Sequence, residues 1–335
     1  VGLEFGRHSY EPTHPEITLE RQLGDCKDRA ALMISLATSL NIPLAFAMVR
    51  TQNAGIIDPQ GVASMSSFDH AIVYSPTLKR FFDPTLPYYD PKTLPNPDYS
   101  AQTLLVNGPL TKGEKTNLQT IPPPHFDHIG QRISLTLDRS KSTPQQLKLY
   151  LDAYGEEATL LREAFDQKKS KDLFQTQLTD LYPQIMKSGY RLSFKESQRS
   201  VRDPIKLVFR KEIIDSISPH DLPKFDLSQK LSLDTSTTEL TLFVPQSRQI
   251  RCITVDQQQG KIDLKSIKTQ INALPVSPNQ KWSIALKTYL SNVCLEMRLT
   301  QAQITPQQYP HFNQWIHDAE DLINQSMSRL INQVL

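Results

Sequence analysis

The uncharged stretch from Ala30 to Val49 is the feature that most constrains the fold of this chain. Judged by its length alone, it resembles a helix that crosses a membrane. Polar side chains interrupt it, however, and Pro43 removes a backbone hydrogen-bond donor within it. We therefore expect a helix that ends near Leu40 and a strand that begins at Leu44, and no integral membrane segment.

Length and charge narrow the class of protein further. The 335 residues exceed the usual size of one domain, so we expect two domains, each with its own core. The 37 basic side chains against 35 acidic ones leave a formal charge of only +2, and the two signs are interspersed. Nucleic-acid-binding proteins usually show a basic stripe, so we expect no nucleic-acid partner.

Segments rich in proline and glycine divide the chain. Residues 1 to about 20 show no periodicity and predict an irregular lead-in. Prolines recur between 84 and 97, and a second group of breakers runs from Gly108 to Pro124. The sequence therefore predicts an N-terminal domain over 1–125 and a C-terminal domain over 126–335.

The C-terminal domain is expected to mix strands and helices, with strands predominating. Residues 132–138 alternate apolar and polar side chains, as a half-buried strand does. Spaced leucines from Pro144 to Ser188 predict helices, and Pro306 to Leu335 predicts a terminal amphipathic helix. Further strands are predicted at 205–210, 240–244, 250–255 and 282–285, with a hairpin over 290–300.

Cys26 lies immediately before an apolar helical pattern, in the polar sequence Gly24-Asp25-Cys26-Lys27-Asp28. Asp25 is suited to cap this helix, and Asp28 lies in its first turn. The N-terminus of a helix favours a thiolate, and its N–H groups can hold a developing oxyanion. A free cysteine is commonly just a small buried side chain. The setting of Cys26 instead indicates a nucleophile.

His70 is the first residue of the second predicted strand, and Asp83 is the last residue of the third. The strands are predicted at 44–50, 70–74 and 79–83. With a two-residue turn at Pro76-Thr77, His70 and Asp83 would face each other across a hairpin, with Cβ atoms about 5 Å apart. An imidazole held by a carboxylate is the base that a cysteine nucleophile needs. Without the cysteine, we would interpret His70 and Asp83 as a hydrogen-bonded pair on the surface.

The remaining cysteines and histidines give weaker signals. Cys252 and Cys294 lie in apolar strand-like runs and are expected to be buried side chains, and the odd number of cysteines leaves at least one thiol free or paired between chains. His125 and His128 form the best metal-like spacing, a poor zinc candidate in a Pro-rich loop. With 11 glycines and no phosphate-binding loop, the sequence gives no support for a nucleotide cofactor either. We therefore expect no metal and no cofactor.

Three sequence blocks resemble the transglutaminase-like superfamily, in a bacterial exported branch. They are Gly24-Asp25-Cys26-Lys27-Asp28, Phe68-Asp69-His70-Ala71-Ile72-Val73 and Phe81-Phe82-Asp83-Pro84-Thr85. The resemblance covers residues 1 to about 125 and implies a papain-like α+β fold, in which the helix that carries the cysteine packs on an antiparallel sheet. It also implies an extracytoplasmic, periplasmic or secreted, location. A β-rich domain generally precedes the catalytic one in this branch, and the chain begins at Val1 without it, so we expect a fragment of a longer protein.

The resemblance implies that Cys26 is the nucleophile, His70 the base and Asp83 the residue that orients the base. The superfamily contains protein cross-linkers, peptidases and amidases, and its bacterial members are usually independent of metals. We therefore expect a cysteine-dependent acyl-transfer enzyme acting on an amide of a protein or peptide, with hydrolysis favoured over transamidation. The alternative is a non-catalytic scaffold with a relict triad that binds a partner or a cell-surface polymer.

Overall fold

The computed structural model describes residues 11–57, 61, 64–106, 118–138, 145–166, 171–195, 202, 204–213, 242–244, 246–254, 264–274, 282–289, 292–300 and 302–334. The chain forms two compact units, Val1–His128 and Ile129–Leu335, whereas the sequence suggested a division after residue 125. Both units mix helices with antiparallel strands, so the class is α+β. Within these residues, no helix has the length and apolar character needed to cross a membrane.

The N-terminal unit consists of two helices and one sheet. The helices are α1 (Pro15–Arg21) and α2 (Cys26–Ser39). The strands are β1 (Ala45–Arg50), β2 (His70–Ser75), β3 (Arg80–Phe82), β4 (Gln102–Val106) and β5 (Leu118–Thr120). They form an antiparallel sheet in the order β3-β2-β1-β4-β5, and α2 packs against β2 and β1.

Proline and helix capping account for the start of this unit. The predicted helix and the three strands predicted after it are confirmed, with Asp25 as the N-cap of the helix. The irregular lead-in is wrong in part, because Pro15 occupies the first turn of α1, where a missing N–H does no harm. Residues 1–10 of that lead-in lie outside the described residues. β4 and β5 were not predicted, since they flank the breaker-rich segment.

The core of the N-terminal unit lies on the sheet. Its buried side chains come from β1, β2 and β3, from the irregular segment after β3 and from the residue that follows β5: Ala47, Val49, Ile72, Phe81, Leu94, Tyr99, Ala101 and Ile121. Tyr99 holds that segment in place, because its hydroxyl accepts a hydrogen bond from the Leu94 N–H at 2.8 Å. The irregular segment is therefore anchored against the sheet despite its prolines.

The C-terminal unit is built around a mixed seven-stranded sheet in the order β12-β13-β11-β6-β7-β9-β8, in which only the β11–β6 pair is parallel. Its strands are β6 (Gly130–Asp138), β7 (Gln145–Tyr154), β8 (Arg191–Lys195), β9 (Ile205–Ile213), β11 (Ser247–Thr254), β12 (Trp282–Tyr289) and β13 (Asn292–Leu299). β10 (Leu242–Val244) pairs separately with β14 (Ala302–Ile304). The helices are α3 (Glu156–Asp166), α4 (Lys171–Leu181), α5 (Pro183–Lys187), α6 (Leu264–Asn272) and α7 (Tyr309–Val334).

Two secondary-structure predictions for this unit are wrong. The first part of the expected helical region, from Pro144, is strand β7, in which Leu147, Leu149 and Leu151 are all buried and alternate with more exposed residues. That period of two is the pattern of a strand. The expected hairpin over 290–300 is instead one strand, β13, which pairs with β12. The terminal helix is confirmed as α7.

Cys252 and Cys294 form a disulfide between adjacent strands. They are direct partners in the β11–β13 register, with Cα atoms 4.1 Å apart. The expectation that both are simple buried thiols is therefore wrong, because the register that places two apolar positions face to face also brings their sulfurs together. Cys26 is the free cysteine of the chain.

Candidate active site

The first turn of α2 is fixed by a pair of reciprocal hydrogen bonds. The Asp28 N–H donates to the Asp25 carboxylate and the Asp25 N–H donates to the Asp28 carboxylate, both at 3.2 Å. The Thr13 N–H also donates to Asp28, at 2.7 Å. This capping box begins the helix at Cys26 and ties its first turn to the preceding segment.

Gly24 leaves room for this arrangement. A Cβ atom at residue 24 would lie 2.8 Å from the Cβ of Asp28 and 2.9 Å from Cγ2 of Thr18. Both distances are shorter than van der Waals contact, so a side chain here would push the capping box and α1 apart. The glycine therefore allows the close approach that sets the position of Cys26.

The two sequence neighbours of Cys26, Asp25 and Lys27, form a buried ion pair. The ammonium of Lys27 contacts the carboxylate of Asp25, and both side chains are largely buried. Burial lowers the pKa of Lys27, but the hydrogen bond to Asp25 and the charges of Asp25, Asp28 and Cys26 outweigh it, so the net pKa is raised. Lys27 is thus a fixed cation that interacts favourably with a thiolate on Cys26.

His70 begins β2, and its ring is held by the residue that follows β3. Nε2 of His70 donates to Oδ2 of Asp83 at 2.9 Å. The other oxygen of Asp83 accepts from the N–H and the hydroxyl of Thr85, at 2.8 and 2.6 Å. The Asp83 carboxylate is only 2% exposed, so it is both oriented and shielded from water.

The side chain of Cys26 interacts with the same imidazole and raises its pKa. Since Nε2 binds Asp83, Nδ1 is the ring nitrogen left for Cys26. Burial lowers the pKa of His70, but the hydrogen bonds with Asp83 and Cys26 and the charges of Asp98 and Asp83 raise it to about 11. This combination favours an imidazolium beside a thiolate.

A second carboxylate, Asp98, lies close to His70. Its Oδ2 is 4.0 Å from Nε2 of His70 and its side chain is 2% exposed. Single ligand-type atoms of His70, Asp83 and Asp98 all lie within 4.8 Å of one another, a spacing that an ion could bridge. The 2.9 Å hydrogen bond already joins two of these atoms directly, so the geometry is that of a proton-sharing pair.

The structure brings Cys26, His70 and Asp83 together and leaves the weaker candidates elsewhere. His125 and His128 have ring centroids 6.0 Å apart, and Nδ1 of His125 lies 3.3 Å from the Asp127 carboxylate. Both members of that last pair are mostly exposed, as in a local surface contact.

Sequence reasoning missed Asp98 and the ion pair of Lys27 with Asp25. Asp98 lies in a single 3₁₀ turn, Asn96–Asp98, within the Pro-rich segment. No periodicity marks such a turn, so no sequence signal distinguishes this carboxylate from an exposed one. Lys27 offered a weak signal, since a lysine beside a capping aspartate at a helix start can be drawn inward with it.

Comparisons of the chain with protein-family models, with curated proteins and with solved structures gave no match.

Proposed function

We propose that this protein is a cysteine-dependent acyl-transfer enzyme that acts on an amide bond of a protein or peptide, as a peptidase or amidase. The observation that carries the proposal is the chain of contacts from Cys26 at the start of α2 to His70 and on to Asp83. A nucleophile, a base and a carboxylate that orients the base are the parts that acyl transfer requires.

In the first half of the reaction, the Cys26 thiolate attacks the carbonyl carbon of the amide. The carbonyl oxygen becomes an oxyanion, for which the N–H groups of Cys26 and Lys27 are available, because no helical carbonyl precedes them and the capping box uses the N–H of Asp28. His70 gives its proton to the nitrogen that leaves, and the C–N bond breaks. The products are a free amine and an acyl group bound to the sulfur of Cys26.

In the second half, the now neutral His70 accepts a proton from water, which attacks the thioester. The carboxylic acid leaves, and the thiolate and the imidazolium are restored. Asp83 holds Nε2–H throughout, so Nδ1 remains the nitrogen that exchanges the proton. An amine could replace water by the same route, but hydrolysis requires no second binding site.

We also propose the papain-like arrangement for the N-terminal unit and an extracytoplasmic location. The packing of the cysteine-bearing helix α2 on an antiparallel sheet supports the first. The disulfide between Cys252 and Cys294 supports the second, since disulfides persist mainly in oxidising compartments.

The proposal is tested with the full chain, a cysteine-directed epoxide and a mixture of candidate proteins. Cys26 should be labelled by the epoxide under native conditions. After incubation with the mixture, mass spectrometry should find new chain ends or deamidated side chains with the wild type and none with Cys26→Ala. Cross-linked peptides instead of cleavage would assign transamidation.

The matched control is Asp127→Asn, which alters an exposed carboxylate near the end of the same unit. It should retain both labelling and turnover. If the wild-type Cys26 reacts no faster than an ordinary thiol and the mixture is unchanged, the protein is not a cysteine acyl-transfer enzyme.

A further inference from the structure

Asp98 is a buried carboxylate directed at the imidazole of the proposed catalytic centre. Its Oδ2 lies 4.0 Å from Nε2 of His70, and its side chain is 2% exposed. Among the residues that the structure describes, no donor lies within hydrogen-bond distance of that oxygen. A buried carboxylate without a donor destabilises a fold, so its position calls for a role beyond packing.

The turn that carries Asp98 is held by groups other than its carboxylate. The Asp98 N–H donates to the Pro95 carbonyl at 3.1 Å, and the Ala101 N–H donates to the Asp98 carbonyl at 3.2 Å. The amide of Gln52 donates to the Tyr99 carbonyl at 3.3 Å. Ser100 has a positive φ of 57°, a conformation that the surrounding contacts must maintain. The carboxylate is therefore not needed to form the turn.

Asp83 and Asp98 act on the same nitrogen in different ways. Asp83 accepts the Nε2–H hydrogen bond and so fixes the tautomer of His70. Asp98 lies beyond hydrogen-bond distance and acts through its charge, which favours the imidazolium. The imidazolium in turn stabilises a thiolate on Cys26, whose side chain interacts with the ring.

We propose that Asp98 is a second positioning carboxylate, which holds His70 in the imidazolium form and thereby holds Cys26 as the attacking thiolate. This role rests on the proposed function of Cys26 as a nucleophile. It also explains why a buried acid without a hydrogen-bond donor is retained beside the ring. In this role Asp98 acts through the ring of His70, which its carboxylate faces.

The charged neighbours of Asp98 set its response to pH. Burial raises its pKa, the charge of His70 lowers it, and the charges of Asp83 and Asp69 raise it again, to about 7. Asp69 is itself held by the N–H and the hydroxyl of Thr51, at 2.7 and 2.5 Å. Asp98 therefore gains its negative charge near neutral pH, and its hold on the imidazolium strengthens above that pH.

The test follows the protonation of His70 by ¹⁵N NMR in the full chain labelled at histidine. Asp98→Asn keeps the shape of the side chain and removes the charge. We expect the pH at which His70 loses its proton to fall by about one unit or more in this variant, which is about a tenfold change in proton affinity. Asp127→Asn makes the same chemical change at an exposed position and should leave that pH as in the wild type.

A measurement on the wild type alone keeps the proposal testable if Asp98→Asn does not fold. The ¹³C signal of the Asp98 carboxyl should titrate near neutral pH, and the ¹⁵N signals of His70 should move in the same step. An unchanged His70 titration in folded Asp98→Asn, or no shared step in the wild type, overturns the role of Asp98.

The alkylation rate of Cys26 with iodoacetamide, recorded on the same samples, separates the two proposals. A wild-type rate no higher than that of an ordinary thiol overturns the proposed function even if His70 titrates as expected. A high wild-type rate together with an unchanged His70 titration in Asp98→Asn overturns only the role of Asp98.

Discussion

The imidazole of His70 and the carboxylate of Asp83 are hydrogen-bonded at 2.9 Å although they are not opposite each other in the β2–β3 hairpin. Val73 pairs with Phe82, and continuing that register places Thr85 opposite His70. β3 ends at Phe82, so Asp83 reaches the ring from the first residue beyond the strand. The hydrogen bonds from Thr85 hold its carboxylate, so the orientation of His70 depends on this short turn.

Replacing Asp83 tests that dependence. Asp83→Asn should fold as the wild type does, while turnover, or alkylation of Cys26 where no substrate is yet known, should fall by about 10²–10⁴-fold. The amide cannot stabilise the imidazolium and can present an N–H that selects the wrong tautomer. Circular dichroism checks the fold and Asp127→Asn serves as control. Full activity would mean that another group orients His70, and Asp98 is the nearest alternative carboxylate described.

The pH dependence of His70 gives a second prediction. Because the folded-state pKa of His70 is raised to about 11, the imidazolium persists far above its ordinary range. The ¹⁵N signals of the His70 ring should therefore be those of an imidazolium from about pH 7 to about pH 10, a range in which an ordinary histidine is neutral. Loss of the ring proton near pH 6.5, as in a free histidine, would contradict the stabilised imidazolium.

The disulfide gives a third prediction, which separates the roles of the two units. Unfolded but unreduced protein should take up one alkyl group, since Cys252 and Cys294 are joined. The double variant Cys252→Ala/Cys294→Ala should lose about 2–4 kcal/mol of unfolding free energy in the C-terminal unit. The native alkylation rate of Cys26 should not change. A matching loss of Cys26 reactivity would show that the disulfide supports the catalytic centre.

The capping box gives a fourth prediction. Asp28→Ala removes the acceptor for the N–H groups of Thr13 and Asp25 and should reduce the free energy of unfolding by about 1–3 kcal/mol. Cys26 should also react more slowly, because the first turn of α2 positions its sulfur. Asp28→Asn retains an acceptor oxygen and should lose less unfolding free energy and less Cys26 reactivity than Asp28→Ala. Equal behaviour of the two variants would mean that the charge of Asp28, rather than its hydrogen bonds, is what matters.

How far the sequence predicts this structure depends on whether the signal is local. The start of α2 follows from Asp25 and Asp28, which act within one turn. Asp25 was predicted as the cap, whereas Asp28 was predicted only as an acidic residue of the first turn. The hairpin was predicted with a two-residue turn, but Ser75 pairs with Arg80, and Lys79 adopts a positive φ of 50° within the longer turn. A lysine gives no warning of that conformation, whereas a glycine or an asparagine would have.

Non-local partners account for what was missed. The alternation in β7 was overlooked because leucines at 147 and 151 also fit a helical spacing. Its pairing with β6 and β9 decides in favour of a strand over a helix, and that pairing joins segments that are separate in the sequence. Asp98 is placed beside His70 by the packing of Tyr99 and its turn, for which the sequence offers only a Pro-rich segment.

The last prediction concerns the effect of Asp98 on stability. The ordinary pKa of its carboxyl is 3.8 and burial raises the folded-state value to about 7, so between these values the folded protein binds a proton more tightly than the unfolded chain does. The free energy of unfolding therefore falls as the pH rises through this window, and the loss persists above it. Asparagine does not titrate, so Asp98→Asn avoids this loss. The free energy of unfolding of Asp98→Asn minus that of the wild type should therefore be larger at pH 8 than at pH 4, by about 1–3 kcal/mol.

Urea unfolding of both proteins at the two pH values measures this difference, because every other titrating group that behaves alike in the two proteins cancels. Asp127→Asn, exposed and in a local surface contact, should show no comparable gain at the higher pH. If Asp98→Asn is more stable than the wild type at pH 8 and its His70 has a lower pKa, then the Asp98 charge destabilises the wild-type fold while it stabilises the imidazolium of His70. Equal or lower relative stability of Asp98→Asn at pH 8 would show instead that the Asp98 charge is already well compensated in the folded protein.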